Sequence, residues 1–336
     1  MPFIRGGGTK IVDDVRDALK EAGHTVDVVS IPVWESQAEI PAQLLAMRLF
    51  DIASSGDRLI AIRTPSHLLR HPTKVVWFLH HHRGAYDLWG TPFGDISDDE
   101  AGRRVRDMIH RSDAFSLREA RHVYANSGTT QARLKAFNNL DTEVLFAPLS
   151  NPDQFYTAEG SDYVFFPSRL TPAKRQVLAV QAMAHVRTRT RLVIAGPPDT
   201  PEELSRLQEA IHDAGVADRV TLMPKWISDR EKCDLFANSL GCVFLPFDED
   251  SYGYVALEAY QSKKPVITCS DSGGVLTLVN NGVTGLVVEP IAAAVGAAID
   301  RLAKNSRAAS RMGRAGLAHA QALGITWERV VETLTR

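Results

Sequence analysis

The sequence predicts an α/β protein of two Rossmann-like, doubly wound parallel-sheet domains, and three observations carry that prediction. Apolar runs of strand length alternate with segments of helical period along the whole chain, the pattern of parallel sheets covered by helices. Its 336 residues are long for one core and comfortable for two domains of ordinary size. Its composition, 44% hydrophobic and 23% charged, is that of a soluble globular protein and excludes disordered and fibrous classes.

In the first half, Gly6-Gly7-Gly8 precedes Val12, Val15 and Leu19 at helical spacing, and Gly23 stops that helix. Met1-Pro2-Phe3 leads almost directly into the glycines, so the buried strand that normally opens such a domain is expected to be missing. Residues 25–30 read as a strand closed by Pro32, and residues 59–62 and 75–79 as two more. The last two are continuously apolar, as strands covered on both faces are. Residues 101–111 and 114–124 read as arginine-rich helices, with either a solvated face or a basic surface that meets a membrane or an anionic acceptor. Residues 144–147 read as the last strand of a first domain spanning 1–149.

Residues 148–160, rich in turn formers, read as a linker. A second alternation follows, with strands at 163–167, 191–195, 219–223, 241–246 and 265–269 and an apolar hairpin at 282–288. Helices are expected at 177–186, 201–214, 230–238 and 255–262, then from 292 onward. The second domain is thus expected over 150–315, with residues 316–336 a C-terminal helix that packs back on the first. A ligand crevice is expected at the carboxyl ends of the strands.

A net charge of −2 argues against a nucleic-acid partner. Cys233, Cys242 and Cys269 cannot all pair and none has a C-x-x-C spacing, which suits a reducing cytoplasmic setting without a structural zinc site. No apolar run reaches the roughly 18 residues of a membrane span, and no signal-peptide core is expected at the start.

Four constellations carry chemistry. Gly6, Gly7 and Gly8, before a helix, suit either a loop facing a diphosphate or sugar, or a flexible tail. His80, His81, His82 and Arg83 end an apolar strand, with His80 and His82 on one face; neighbours in a strand do not converge on a metal. They suit a contact to a sugar hydroxyl or developing charge, or a structural hydrogen-bonded pair. Arg169 and Lys174 follow the first strand of the second half, where cations neutralise a departing diphosphate; Arg175 reads more readily as surface charge. The run from Asp248 to Glu258 places an acidic turn and Gly253 before a helix, so the N–H groups of Gly253, Tyr254 and Val255 would face a phosphate; the alternative is a solvated acidic loop, which would not need Gly253 at a helix start. Asp250 and Glu258 bracket that turn, one for donor-sugar hydroxyls and one for a ribose diol.

These residues make the chain resemble the retaining glycosyltransferases of family 4, of two-domain GT-B architecture, over nearly its whole length. The pattern Arg70-His71-Pro72-Thr73-Lys74-Val75-Val76-Trp77, with His80 to Arg83 and Tyr86-Asp87-Leu88-Trp89-Gly90-Thr91, is similar to one bacterial subgroup. The resemblance implies a glycine loop beside the donor diphosphate at Gly6 and Gly7 and an active-site histidine near the donor sugar at His80. It implies that Arg169 and Lys174 take the diphosphate and that the E-x7-E element falls on Asp250 and Glu258. Asp250 would then lie near the sugar, Glu258 on the ribose hydroxyls, and the backbone of Trp226 and Ile227 on the base. It implies a cleft between the domains and no metal or other cofactor. Four features depart from the family pattern: the absent first strand, Asp250 for glutamate, Pro224-Lys225 for a glycine, and Thr277 for another glutamate.

The expected activity is transfer of a sugar from a nucleoside diphosphate sugar to a carbohydrate, lipid-linked or small-molecule hydroxyl, with retention. A peripheral contact at the inner membrane face accompanies it. The rival readings are a catalytically impaired nucleotide-sugar binder or partner subunit, and a nucleotide-sugar epimerase on the same fold.

Overall fold

The computed structural model describes residues 7–34, 36–91, 93–159 and 162–336, with 7–9 given as helical backbone. Two compact units emerge: the described residues up to Pro148 together with Thr326–Arg336, and Leu149–Ile325.

The first unit is built on four parallel strands in chain order, β1 (Leu59–Ala61), β2 (Lys74–Phe78), β3 (His122–Ala125) and β4 (Glu143–Val144). Every residue of β2 is buried. Even Lys74 is enclosed: its ammonium donates to the carbonyls of His67 at 2.8 Å and Leu69 at 3.0 Å and reaches Glu119 at 3.4 Å. Burial outweighs Glu119 and holds this ammonium below its ordinary pKa. Helix α1 (Gly7–Glu21) buries Ile11, Val15 and Leu19 along one stripe, and Gly23, at φ 90°, ends it. Helices α2 (Ile40–Leu49), α3 (Glu100–Arg118) and α4 (Gly128–Asn138) follow. The chain's last helix packs on α1, and Arg58 donates to the carbonyl of its Leu334 at 2.7 Å.

Several elements differ from the sequence reading. Residues 24–34 are irregular, with Val28 and Val29 exposed, because a strand needs a ladder neighbour and none is present among the described residues. The expectation that a first strand is missing falls on residues 1–6, which lie outside the described residues. The two helices expected over 101–124 are a single one, α3: no glycine or proline interrupts Ser112-Asp113-Ala114. The chain then enters β3, where Tyr124 is buried. The sequence reading contained no α4; Ser127 caps it by accepting from the Thr130 N–H at 3.0 Å.

The second unit holds six parallel strands: β5 (Tyr163–Pro167), β6 (Arg191–Ala195), β7 (Val220–Met223), β8 (Gly241–Val243), β9 (Val266–Cys269) and β10 (Gly285–Val288). Their order is β10-β9-β8-β5-β6-β7. Helices α5 (Gln176–Met183), α6 (Pro201–Asp213), α7 (Asp229–Asn238), α8 (Tyr254–Gln261), α9 (Ala292–Lys304) and α10 (Ser306–Ala322) complete it, and α11 (Trp327–Thr335) belongs to the first unit. Residue 316, expected to open the C-terminal helix, lies inside α10. The expected hairpin is one strand: β10 runs parallel to β9, and the residues before it form a turn closed by Asn280 N donating to Thr284 Oγ1 at 2.8 Å. A cluster of Val164, Phe166, Ala179, Met183, Ile194, Ile267 and Ile299, all fully buried, forms the core.

Among the described residues, no helix is long and apolar enough to cross a membrane. No three His, Cys, Asp or Glu side chains among them converge as a metal site.

Candidate functional site

In the second sheet the direction of winding reverses between β5 and β8. Loops leaving the carboxyl ends of two strands diverge at such a point and leave a crevice for a ligand. The loop after β5 carries Arg169 and Lys174; the loop after β8 carries residues 244–253. The two are joined, since Phe247 N donates to the Ala173 carbonyl at 2.8 Å. The Lys174 ammonium pairs with Glu249 and lies 5.3 Å from the centre of the Phe244 ring. Arg169 turns toward the loop after β6, where it pairs with Asp199 at 2.5 Å, both side chains 39% exposed.

The acidic turn is held by close backbone approach. Glu249 O accepts from Gly274 N at 2.7 Å, and a Cβ on Gly273 would fall 2.3 Å from the same oxygen. Asp250 is buried. Gly253 caps α8 at φ 74°, and a Cβ there would meet the Phe244 ring at 2.6 Å, so glycine is demanded by both conformation and space. Its N–H donates to Ser251 Oγ at 3.0 Å. Tyr254 and Val255 follow as the first residues of α8, whose opening N–H groups lack intrahelical acceptors and carry the positive end of the helix dipole.

Glu258, one turn further along α8, is nearly buried, and its Oε1 lies 2.7 Å from Lys232 Nζ on α7. Trp226, 61% exposed, and the half-buried Ile227 directly precede Ser228, the N-cap of α7. Ser228 and Glu231 form a reciprocal capping box that fixes the entry to this helix.

In the first unit, His80 is exposed just beyond β2; its Nδ1 lies 2.7 Å from the His81 carbonyl and its own carbonyl accepts from Thr64 Oγ1 at 2.6 Å. The three histidines have left strand geometry, so the expected alternation of faces gives way to one exposed, one buried and one half-buried side chain. His81 is buried with Nε2 2.7 Å from Asn138 Oδ1, its ring against Phe78 and Tyr86. The Tyr86 hydroxyl donates to Asp113 at 2.9 Å, and Asp113 also meets His67 Nε2 at 2.7 Å. Burial, with Asp113 adding its negative charge, pushes the Tyr86 phenol well up. Gly6 lies outside the described residues, and Gly7 is the first residue of α1.

Within the second unit the structure therefore brings Lys174 and the acidic turn together, sets Gly253, Tyr254 and Val255 at the start of α8 with Glu258 one turn further along it, and directs Arg169 toward Asp199. Sequence reasoning gave no role of their own to Glu249, Lys232, Asp199 and the Gly273-Gly274 pair. It also set Arg175 aside as surface charge, whereas Arg175 is a half-buried hub bonded to Asp271 and to two carbonyls of the loop after β8. Only its position directly after Lys174, in the loop that follows β5, hinted at this.

Residues 150–319 match the model of the family described as Glycosyl transferases group 1. The D-inositol 3-phosphate glycosyltransferase of Nocardia farcinica is 31% identical over 185 residues, 53% of this chain and 40% of that protein. The one from Acidothermus cellulolyticus is 34% identical over 179 residues, 50% and 39% of the two chains. The chain thus spans about two fifths of the length of these curated relatives. Among solved structures, sucrose-phosphate synthase from Thermosynechococcus elongatus superposes with a TM-score of 0.77 at 20% identity, covering 98% of this chain and 92% of that one. Anabaena HepE in complex with UDP and glucose gives 0.73 at 17%, covering 98% and 96%.

Proposed function

Because this chain belongs to the glycosyl transferases of group 1 and has their GT-B fold, we propose that it moves a sugar from a nucleoside diphosphate sugar to an acceptor hydroxyl with retention at the anomeric carbon. One observation carries the reading: at the β5–β8 reversal, the Lys174 ammonium and the start of α8 at Gly253 belong to two loops that are hydrogen-bonded to each other.

Breaking the glycosidic bond leaves positive charge on the sugar and adds negative charge to the departing diphosphate. Lys174, Arg169 and the N–H groups of Tyr254 and Val255 stabilise the latter, which lets the reaction run without a metal ion. Lys174 exchanges Glu249 for the diphosphate when donor binds. Asp250 serves the donor sugar, Glu258 the ribose diol, and the backbone of Trp226 and Ile227 the base. The family resemblance assigns donor contacts to His80, Gly6 and Gly7 as well. The leaving phosphate accepts the acceptor's proton, consistent with a front-face course.

UDP is named with HepE, so uridine donors are the first to test here. The acceptor is a carbohydrate, lipid-linked or small-molecule hydroxyl, and D-inositol 3-phosphate, in the name of the relatives, heads the panel. Contact with a membrane face is supported by the exposed stripe Arg104, Met108, Arg111, Phe115 and Arg118 on α3.

The experiment is a melting-temperature screen over nucleoside diphosphates and their sugars, followed by assay of diphosphate release with acceptors. Tight binding without turnover would point to a binder; a changed sugar without acceptor would point to an epimerase. Either outcome overturns the proposal.

A further inference from the structure

We propose that Lys232 is a positioning residue for the donor: by holding one oxygen of Glu258, it presents the other to the ribose diol and so sets the preference for a ribonucleotide. This inference rests on the glycosyl-transfer reading above.

The ion pair is well defined. Lys232 Nζ stands 2.7 Å from Glu258 Oε1 and 3.3 Å from Asp229 Oδ1, and 5.9 Å from the centre of the Phe155 ring. The Lys232 and Glu258 side chains are 22% and 11% exposed. Burial pulls the Lys232 pKa down, yet the two carboxylates win and hold it above its ordinary value, so the ammonium stays charged.

Its place in the chain gives the pair its meaning. Lys232 lies just past the first turn of α7, whose cap follows Trp226 and Ile227 directly. The segment expected to hold the base and the carboxylate expected to hold the ribose are therefore linked by one capped helical turn and one ion pair. Among the described residues only Lys232 bonds the Glu258 carboxylate, and it takes Oε1. A carboxylate anchored at one oxygen keeps a single rotamer and offers the other to a vicinal diol. The ammonium also offsets part of the carboxylate charge, so Glu258 repels a nearby diphosphate less than it would alone.

The test compares a nucleotide with and without its diol. The dissociation constants of UDP, GDP and ADP are measured by titration calorimetry on the whole chain, and the tightest binder is paired with its 2′,3′-dideoxy counterpart. The wild type is expected to prefer the ribo form by about tenfold or more. Lys232→Met is expected to lose most of that ratio, and Lys232→Arg to keep it. Melting without ligand checks folding; should Lys232→Met not fold, Lys232→Gln carries the same comparison.

A residue that only packs would weaken both nucleotides equally, so an unchanged ratio in the variant overturns the proposal. A wild type indifferent to the diol overturns it too, while leaving the glycosyl-transfer reading intact. Absence of binding by all three diphosphates strikes the parent reading first, which separates the two failures.

Discussion

Arg175 grips Asp271 with both arms of its guanidinium, at 2.7 and 2.8 Å, and the same side chain donates to the carbonyls of Leu245 at 2.7 Å and Pro246 at 2.8 Å. It thereby ties the loops that follow β5, β8 and β9 into one frame, from an αL backbone at φ 58°. Lys174 is its neighbour, so the frame positions the expected diphosphate cation. Arg175→Gln is expected to lower stability by about 2–4 kcal/mol, since several charge-assisted bonds are lost and Asp271 is left unpaired. Urea denaturation measures this; an unchanged midpoint would mean that the loops hold without the frame.

Gly253→Ala should be felt twice. The residue has φ 74°, and the added methyl meets the Phe244 ring. Strain of about 1–3 kcal/mol is expected, relieved by moving the start of α8. Donor affinity should fall along with melting temperature, read by calorimetry beside thermal melting. A variant with native donor affinity would detach the start of α8 from the donor.

Lys174→Met should act on turnover more than on binding, because the charge it opposes grows as the bond breaks. A loss of about 100-fold in kcat is expected, with a smaller change in donor KM. Glu249→Gln, which frees the ammonium from its partner, should lower donor KM. Steady-state kinetics with a saturating acceptor decides; equal effects on kcat/KM through KM alone would assign Lys174 to ground-state binding.

Glu258→Gln should weaken nucleotide binding by about 1.5–3 kcal/mol, the contribution of a charged acceptor to a diol. Calorimetric titration of the diphosphate is the measurement. Native affinity in this variant would take Glu258 out of the donor site.

Asp113 supplies a pH dependence. Burial works against its ionisation, but His67 and Tyr86 more than offset this, and its carboxyl is held below the ordinary range. A depressed folded pKa stabilises above the unfolded value of about 3.9 and is lost as pH falls through the folded value. Asp113→Asn should therefore cost about 2–4 kcal/mol near pH 7, and the gap to wild type should close below about pH 4. Denaturation at a series of pH values tests this; a gap constant down to pH 3 would show that ionisation is not involved.

The second unit was the more legible one. β5 and β6 stand at the residues read from the sequence, because strands buried on both faces leave unbroken apolar runs. β3 was hidden: it has four residues, its first side chain is exposed, and it follows an arginine-rich helix without a break in composition. Residues 25–30 erred in the opposite sense, with strand-like side chains but no ladder neighbour among the described residues. Of the site, Gly253 was readable because a glycine before a helix start carries its own conformational reason. Lys232 was not, since on the surface of a polar helix it looks like any solvated lysine.

What the chain alone determined is local: where strands buried on both faces run, where helices start, and which loops at strand ends carry cations, glycines and carboxylates. Those features follow from burial pattern and backbone preference, which neighbouring residues settle among themselves. Which charge meets which was decided by the tertiary structure. Lys174 reaches Glu249 across 75 positions and Lys232 reaches Glu258 across 26. Partners so far apart are chosen by the order of the strands and the loops between them, and an ammonium carries no local mark of the carboxylate it will find.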